Sequence, residues 1–111
     1  LPMAALVETV IGRDFSRVFV PALFYYSKDD LVVDPVQTNL FVEGWGGSKT
    51  VVHPRLGEND DKYAHVIAGD IVSAHQTGFA VNGILRWLME QRGWPMSGHR
   101  CVKQKLDTKQ E

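Results

Sequence analysis

Residues 17–35 read RVFVPALFYYSKDDLVVDP, and they contain in turn the signals of a buried strand, a turn and a helix start. Its first half is β-branched and aromatic with almost no polar interruption, which is typical of a strand buried on both faces of a parallel sheet. Pro21 has no backbone N–H to donate to a ladder, so we expect the regular strand to start there. The SKDD segment then predicts a turn. Asp34 followed by Pro35 predicts a helix start, with a capping carboxylate and a proline at the first helical position.

Helices and strands alternate in the rest of the sequence. Apolar residues at helical spacing predict a helix over residues 3–11 and a second helix after Pro35 that a glycine cluster at 44–47 ends. Residues 49–53 (KTVVH) predict a second short strand. A polar loop at 55–63 leads to HVIAGD, and a last helix with an apolar stripe at Val81, Ile84, Leu85 and Leu88 ends near Gly93.

The order helix, strand, helix, strand, helix contains one βαβ unit, expected to be parallel with a right-handed crossover. The sequence therefore predicts an α/β fold with two parallel strands and flanking helices. A sheet of two strands has open edges and little core. We expect this unit to be part of a larger sheet.

The composition excludes several classes of partner. The chain has 111 residues and a formal net charge of −1, which does not favour nucleic acid or an anionic membrane surface. No apolar run approaches the roughly 18 residues of a membrane span. The chain begins at Leu1 without a basic leader, so we expect a piece of a longer protein. A single cysteine, Cys101, cannot form an internal disulfide, which favours a reducing, cytoplasmic location.

Acidic residues follow the first strand, and a histidine follows the loop after the second strand. In open α/β sheets, ligands and catalytic groups gather at the carboxyl ends of the strands. Taken alone, Asp29 and Asp30 are ordinary turn formers and Asp34 is a helix cap. His65 alone would be read as a surface residue or a hydrogen-bonded core residue.

Together these residues resemble the end of the α/β-hydrolases, most closely the serine aminopeptidase, lysophospholipase and carboxylesterase-like branch. The matching pattern is S-x-x-D-x-V-V-D-P after an apolar strand, then a histidine that leads into a helix, over roughly residues 15–92. The resemblance implies that Asp30, rather than Asp29, is the triad acid and that His65 is the triad histidine. In this fold the chain order is serine, then acid, then histidine. Residues 1–93 would be the carboxy-terminal part of the hydrolase domain, and residues 94–111 a polar, partly disordered tail.

The nucleophile of such a triad is missing from the sequence. None of Ser16, Ser27, Ser48, Ser73 and Ser97 lies in a G-x-S-x-G nucleophile elbow. The resemblance therefore implies a longer parent enzyme that hydrolyses an ester, a lipid ester or a small amide through an acyl-serine, without a cofactor. The 111-residue chain alone is expected to be inactive, because loss of a triad nucleophile can lower turnover about a millionfold.

Two alternatives to a serine hydrolase stay open at this point. A metal site could be imagined from His53, Asp60, Asp61, His65, Asp70 and His75, but no pair has a compact zinc spacing, so we predict no metal. The chain could instead be a non-catalytic α/β module that binds a partner through its exposed sheet edge.

We also expect a homo-oligomer through that edge or through apolar helix faces. Near the last helix, Ser73 or Thr77 is the expected cap.

Overall fold

The computed structural model describes residues 2–92, which form a mixed α/β unit of three helices and two strands. The elements are α1 (Pro2–Ile11), β1 (Ala22–Tyr25), α2 (Pro35–Glu43), β2 (Lys49–Val52) and α3 (Ala74–Gln91). The strands pair in parallel, with Ala22 opposite Lys49 and Tyr25 opposite Val52. The predicted α/β class and element order are confirmed. Residues 94–111, predicted to be a polar tail, lie outside the described residues.

Local sequence signals set the element boundaries. β1 starts directly after Pro21, as the missing N–H of proline predicts. Asp34 caps α2 by accepting a hydrogen bond from the amide of Val36, and Pro35 occupies the first turn. At the other end of α2, the Lys49 ammonium donates to the carbonyls of Val42 and Glu43 at 2.9 and 3.0 Å. A cation near the C-terminus of a helix is favourable because it faces the free carbonyl groups there. The Lys49 side chain therefore joins α2 to the first residue of β2.

An aromatic cluster joins the sheet to α2 and to the segment before β1. Its members are Phe15, Phe24, Phe41 and Trp45, with ring centroids 4.9–6.3 Å apart, the range in which aromatic pairs attract. Trp45 also donates from its indole nitrogen to the carbonyl of Val20 at 2.9 Å. After Trp45, the backbone at Gly46 lies against the backbone of Ser16. A Cβ atom at Gly46 would lie 1.9 Å from the Ser16 carbonyl oxygen. This position therefore requires glycine.

The sheet is less buried than its sequence predicts. All four residues of β1 are half-buried, so the expectation of a strand buried on both faces is wrong. The reason is that the sheet described has only two strands, and nothing among residues 2–92 encloses it completely. Val42 and Ala80 are the only hydrophobic residues described as buried, and α1 has no buried residue. The apolar stripe of α3 stays largely exposed at Val81, Ile84, Leu85 and Leu88.

The start of α3 also differs from its sequence-based expectation. Ser73 occupies the N-cap position, but its side chain makes no capping hydrogen bond and its backbone is left-handed, with φ 61°. The Thr77 hydroxyl accepts from the amide of Gly69, in the loop before the helix, at 3.0 Å. Both side chains bind the preceding loop instead of a free amide in the first turn of the helix. Ser73 therefore has the expected position without the side-chain hydrogen bond of a cap, and the expectation for Thr77 is wrong.

Within residues 2–92, no helix combines the length and the apolar character that crossing a membrane requires.

Truncating the aromatic cluster should destabilise the fold. We expect Phe41→Ala to lower the free energy of unfolding by about 2–3 kcal/mol, somewhat below the range for fully buried phenylalanines, because Phe41 is half-buried. Leu40→Ala is the matched control, since Leu40 lies on the same helix and is 56% exposed. Urea unfolding followed by tryptophan fluorescence measures both. Equal losses for the two variants would contradict the importance of the cluster.

Candidate active site: an aspartate–histidine pair beyond the strand ends

The loop after β1 presents Asp30 in a fixed orientation. One carboxylate oxygen of Asp30, Oδ1, accepts hydrogen bonds from the amides of Val32 and Val33 at 2.8 and 2.9 Å. Earlier in the loop, the buried Ser27 hydroxyl accepts from the amide of Asp29 at 3.1 Å. A short aspartate side chain commonly bonds to the backbone two residues ahead and so builds a turn. The turn occupies Oδ1 and leaves Oδ2 available to another group.

His65 occupies that second oxygen. Its Nδ1 lies 2.9 Å from Oδ2 of Asp30, within hydrogen-bonding distance. The Asp30 side chain is 13% exposed, whereas the His65 side chain is 41% exposed. The other ring nitrogen, Nε2, makes no hydrogen bond to any residue in the described part of the chain. The structure thus brings together the two residues that the sequence singled out as acid and histidine; their catalytic role stays a prediction.

The hydrogen bonds to Asp30 favour its ionised form. Burial acts to raise the pKa of the Asp30 carboxyl group, but the bonds from the Val33 amide, the His65 ring and the Val32 amide together hold that pKa below its ordinary value. A carboxylate that receives backbone N–H bonds is stabilised as an anion. Asp30 is therefore ionised at neutral pH and oriented toward a histidine, which is the arrangement an orienting acid needs.

A second connection joins the two loops through the backbone. The amide of Leu31, next to Asp30, donates to the carbonyl of Tyr63 at 2.9 Å. The contact between Asp30 and His65 therefore lies beside a backbone hydrogen bond between the same loops. Because β1 and β2 are parallel, both loops leave the sheet at the same end, and these bonds join them there.

The residues that shape the histidine loop were not predicted from the sequence in that role. The Asp61 carboxylate accepts from the amide of Tyr63 at 3.1 Å, from that of His65 at 3.1 Å and from that of Val66 at 2.8 Å. The bonds from Val66 and Tyr63, more than the one from His65, lower the pKa of Asp61 against the opposing effect of burial. The only signal in the sequence is an aspartate within a polar segment. Because any polar surface loop can contain one, this signal does not identify Asp61.

The neighbouring Asp60 serves a different part of the loop. Its Oδ2 accepts from the amide of Gly57 at 2.7 Å and from the side chain of Gln76 at 2.8 Å. The bond from Gly57, followed by the bond from Gln76, lowers the pKa of Asp60. Gln76 is buried in α3 and also donates to the carbonyl of Arg55 at 2.9 Å. Asp60 therefore ties the beginning of the loop to α3 and makes no hydrogen bond to His65.

The other candidates from the sequence do not assemble around this pair. Among residues 2–92, no group of three histidine, cysteine, aspartate or glutamate residues could hold a metal ion. The ring of His53 lies against Tyr26, with its Nδ1 3.0 Å from the carbonyl oxygen of Tyr26. In the same part of the chain, no serine hydroxyl is hydrogen-bonded to His65. Ser27 and Ser73 are buried, at 3% and 1% exposed.

The chain was compared with protein families, curated proteins and solved structures. No family model, no curated protein and no solved structure matches the chain.

The state of Asp30 gives a prediction for acid pH. Because the folded-state pKa lies below the unfolded value of about 3.9, the bonds to Asp30 stabilise the fold above that pH, and their contribution is lost as the pH falls through the folded pKa. We expect the amide protons of Val32 and Val33 to report this titration by NMR, with a midpoint below about 3.9. Asp30→Asn should abolish the titration at both amides. A midpoint above the unfolded value would contradict the hydrogen bonding described.

Proposed function

We propose that this chain supplies the acid and the histidine of a Ser-His-Asp triad in an α/β-hydrolase. The observation that carries the proposal is the contact of 2.9 Å between Nδ1 of His65 and Oδ2 of Asp30. Its support comes from three features: the nearly buried and ionised acid, the more exposed histidine, and the position of both beyond the carboxyl ends of parallel strands. Those features match the chemistry that the sequence pattern implies.

In the proposed mechanism, Asp30 fixes the tautomer of His65 by accepting a hydrogen bond from the Nδ1–H group. Nε2 then has a free lone pair and takes the proton of a serine hydroxyl as that oxygen attacks a carbonyl carbon. The imidazolium that forms is stabilised by the Asp30 carboxylate, which stays ionised. His65 returns the proton to the leaving alcohol or amine, and the acyl-serine that remains is hydrolysed when His65 activates a water in the same way.

The nucleophile and the oxyanion hole would come from polypeptide outside this chain. Acid and histidine follow the serine in this fold, and no serine of the chain lies in a G-x-S-x-G frame. The two strands and three helices would then be the last part of a wider sheet. Substrates of the whole enzyme would be esters, lipid esters or small amides, and the missing part would choose among them.

Activity should depend on joining this chain to such a partner sequence. We expect the 111-residue chain alone to show no turnover of an activated acyl ester that depends on His65. A longer protein that carries a G-x-S-x-G elbow before Leu1 should hydrolyse the ester. There, Asp30→Asn should lower kcat about 10⁴-fold, and His65→Ala should lower it by more. Asp29→Asn is the control for Asp30→Asn, since the neighbouring carboxylate makes no hydrogen bond to His65, and it should stay close to wild type.

Two results would contradict the proposal. One is ester hydrolysis by the chain alone that His65→Ala abolishes. The other is a longer protein with the elbow in which Asp30→Asn and Asp29→Asn retain equal activity.

A second candidate function, partner binding through the sheet edge, is favoured by a different observation. The amides of Ala22 and Tyr26 point to β2, so the alternating backbone groups of Leu23 and Tyr25 point to the opposite edge of β1. No third strand lies at that edge among residues 2–92. Beside it runs an open apolar groove of about 600 Å³, whose walls include Val20, Pro21, Leu23, Ile84, Trp87 and Leu88.

Exposed strand edges with apolar surroundings tend to pair with another chain. The occupant in the isolated chain would be a second copy, in a two-fold dimer. In the parent enzyme, the preceding strand of the same sheet would occupy the edge instead. The two candidates therefore use the same surface, and they differ in whether a longer polypeptide covers it.

Assembly should respond to a charge placed in the groove. We expect the chain to scatter light as a dimer at micromolar concentration and Leu88→Glu to shift it to the monomer, because a carboxylate would have to be buried at the interface. Ile71→Glu is the control, since Ile71 is 98% exposed and does not line the groove. A wild-type chain with the mass of a monomer, or equal effects of the two variants, would contradict this surface as the interface.

A further inference from the structure

Three hydrogen bonds converge on the carboxylate of Asp61, and two of them reach His65 and its neighbour. Oδ2 of Asp61 accepts from the amide of His65 at 3.1 Å and from that of Val66 at 2.8 Å. Oδ1 accepts from the amide of Tyr63 at 3.1 Å. One side chain thus holds the backbone on both sides of the His65 Cα atom. Ala64, between Tyr63 and His65, has φ 51°. This left-handed conformation is uncommon for alanine.

The hydroxyl of Ser73 closes the same loop from the side of α3. It accepts from the amide of Asp61 at 2.9 Å and donates to the carbonyl of Val66 at 2.5 Å. Ser73 is 1% exposed and its backbone is left-handed. Its side chain is therefore buried between the two ends of the 61–66 segment instead of capping α3. Asp61 and Ser73 together clamp the segment that carries the histidine.

We propose that Asp61, aided by Ser73, is a positioning residue that sets the His65 ring against Asp30. The inference rests on the proposed function, in which the contact between His65 and Asp30 fixes the tautomer of the histidine. The His65 side chain is 41% exposed, and its only hydrogen-bonding partner in the described part of the chain is Asp30. Little packing therefore holds the ring, and its place depends on where the backbone of residues 65 and 66 is held.

Asp60 is a second carboxylate of this loop, and it makes no hydrogen bond to the His65 segment. It is the adjacent residue and accepts two hydrogen bonds, against three for Asp61, but they come from Gly57 and Gln76. Loss of the Asp60 carboxylate therefore removes a comparable number of bonds from the same loop and leaves every bond to the His65 segment in place. This difference separates positioning of the histidine from general support of the loop.

The tautomer of His65 is the readout, measured by ¹⁵N NMR of the 111-residue chain at about pH 8.5, where an ordinary imidazole is neutral. A His65→Gln spectrum assigns the signals among the four histidines. In the wild type we expect the Nδ1–H tautomer, because the Asp30 carboxylate accepts a hydrogen bond from that N–H group. In Asp61→Ala this preference should be lost, and the signals should move to those of a free imidazole, in which the Nε2–H form predominates. Asp60→Ala should keep the wild-type tautomer.

Two further variants keep the test decisive if Asp61→Ala does not fold. Asp61→Asn retains one carbonyl oxygen as an acceptor and should shift the tautomer only in part. Ser73→Ala keeps the carboxylate but removes the link to Val66, and it should also give a partial shift. An unchanged tautomer in a folded Asp61→Ala, or in both of these milder variants, would overturn the positioning role. A wild-type chain without the Nδ1–H tautomer would instead overturn the proposed function on which that role rests.

Discussion

Parallel pairing of β1 with β2 is the constraint on which the site depends. Because the strands run in the same direction, the loops that follow Tyr25 and Val52 leave the sheet at one end. One loop carries Asp30 and the other carries His65, and the two side chains meet there at 2.9 Å. An antiparallel arrangement would send these loops to opposite ends of the sheet. The bond from Leu31 to the carbonyl of Tyr63 then joins the loops at the backbone as well.

Polar contacts, more than a hydrophobic core, hold this site together. Few hydrophobic side chains are buried among residues 2–92, whereas Ser27, Ser73 and Gln76 are all buried and hydrogen-bonded. Ser27 belongs to the loop that carries Asp30, and Ser73 and Gln76 are hydrogen-bonded to the segment that leads to His65. A buried polar group costs free energy unless it is paired, so its bonds define one loop conformation more sharply than apolar packing does. The aromatic cluster of Phe15, Phe24, Phe41 and Trp45 gives the sheet its own support, away from this network.

The sequence predicted the features that depend on near neighbours along the chain. Pro21 marked the start of β1, Asp34 with Pro35 marked the start of α2, and the order of strands and helices predicted the parallel pair. Asp30 and His65 could be chosen because their position after consecutive parallel strands is readable from that order.

The roles of Asp61 and Ser73 could not be read in this way. The Asp61 bonds reach only 2, 4 and 5 residues ahead, but an aspartate in a polar segment looks the same in the sequence whether or not three amides converge on it. The Ser73 bonds reach 12 and 7 residues back, and its left-handed φ has no local sequence signal. The burial of β1 was overestimated because apolar composition shows only that a strand can be covered, and nothing among residues 2–92 covers it fully.

The proposed triad rests on the contact between Asp30 and His65, which a double-mutant cycle measures. The free energy of unfolding is measured near neutral pH for the wild type, Asp30→Asn, His65→Gln and the double variant. If the two side chains interact in the folded chain, the effects of the single changes are not additive, and we predict a coupling energy of about 1 kcal/mol, since His65 is 41% exposed. Additive effects, with a coupling energy indistinguishable from zero, would contradict the pairing and with it the proposed triad.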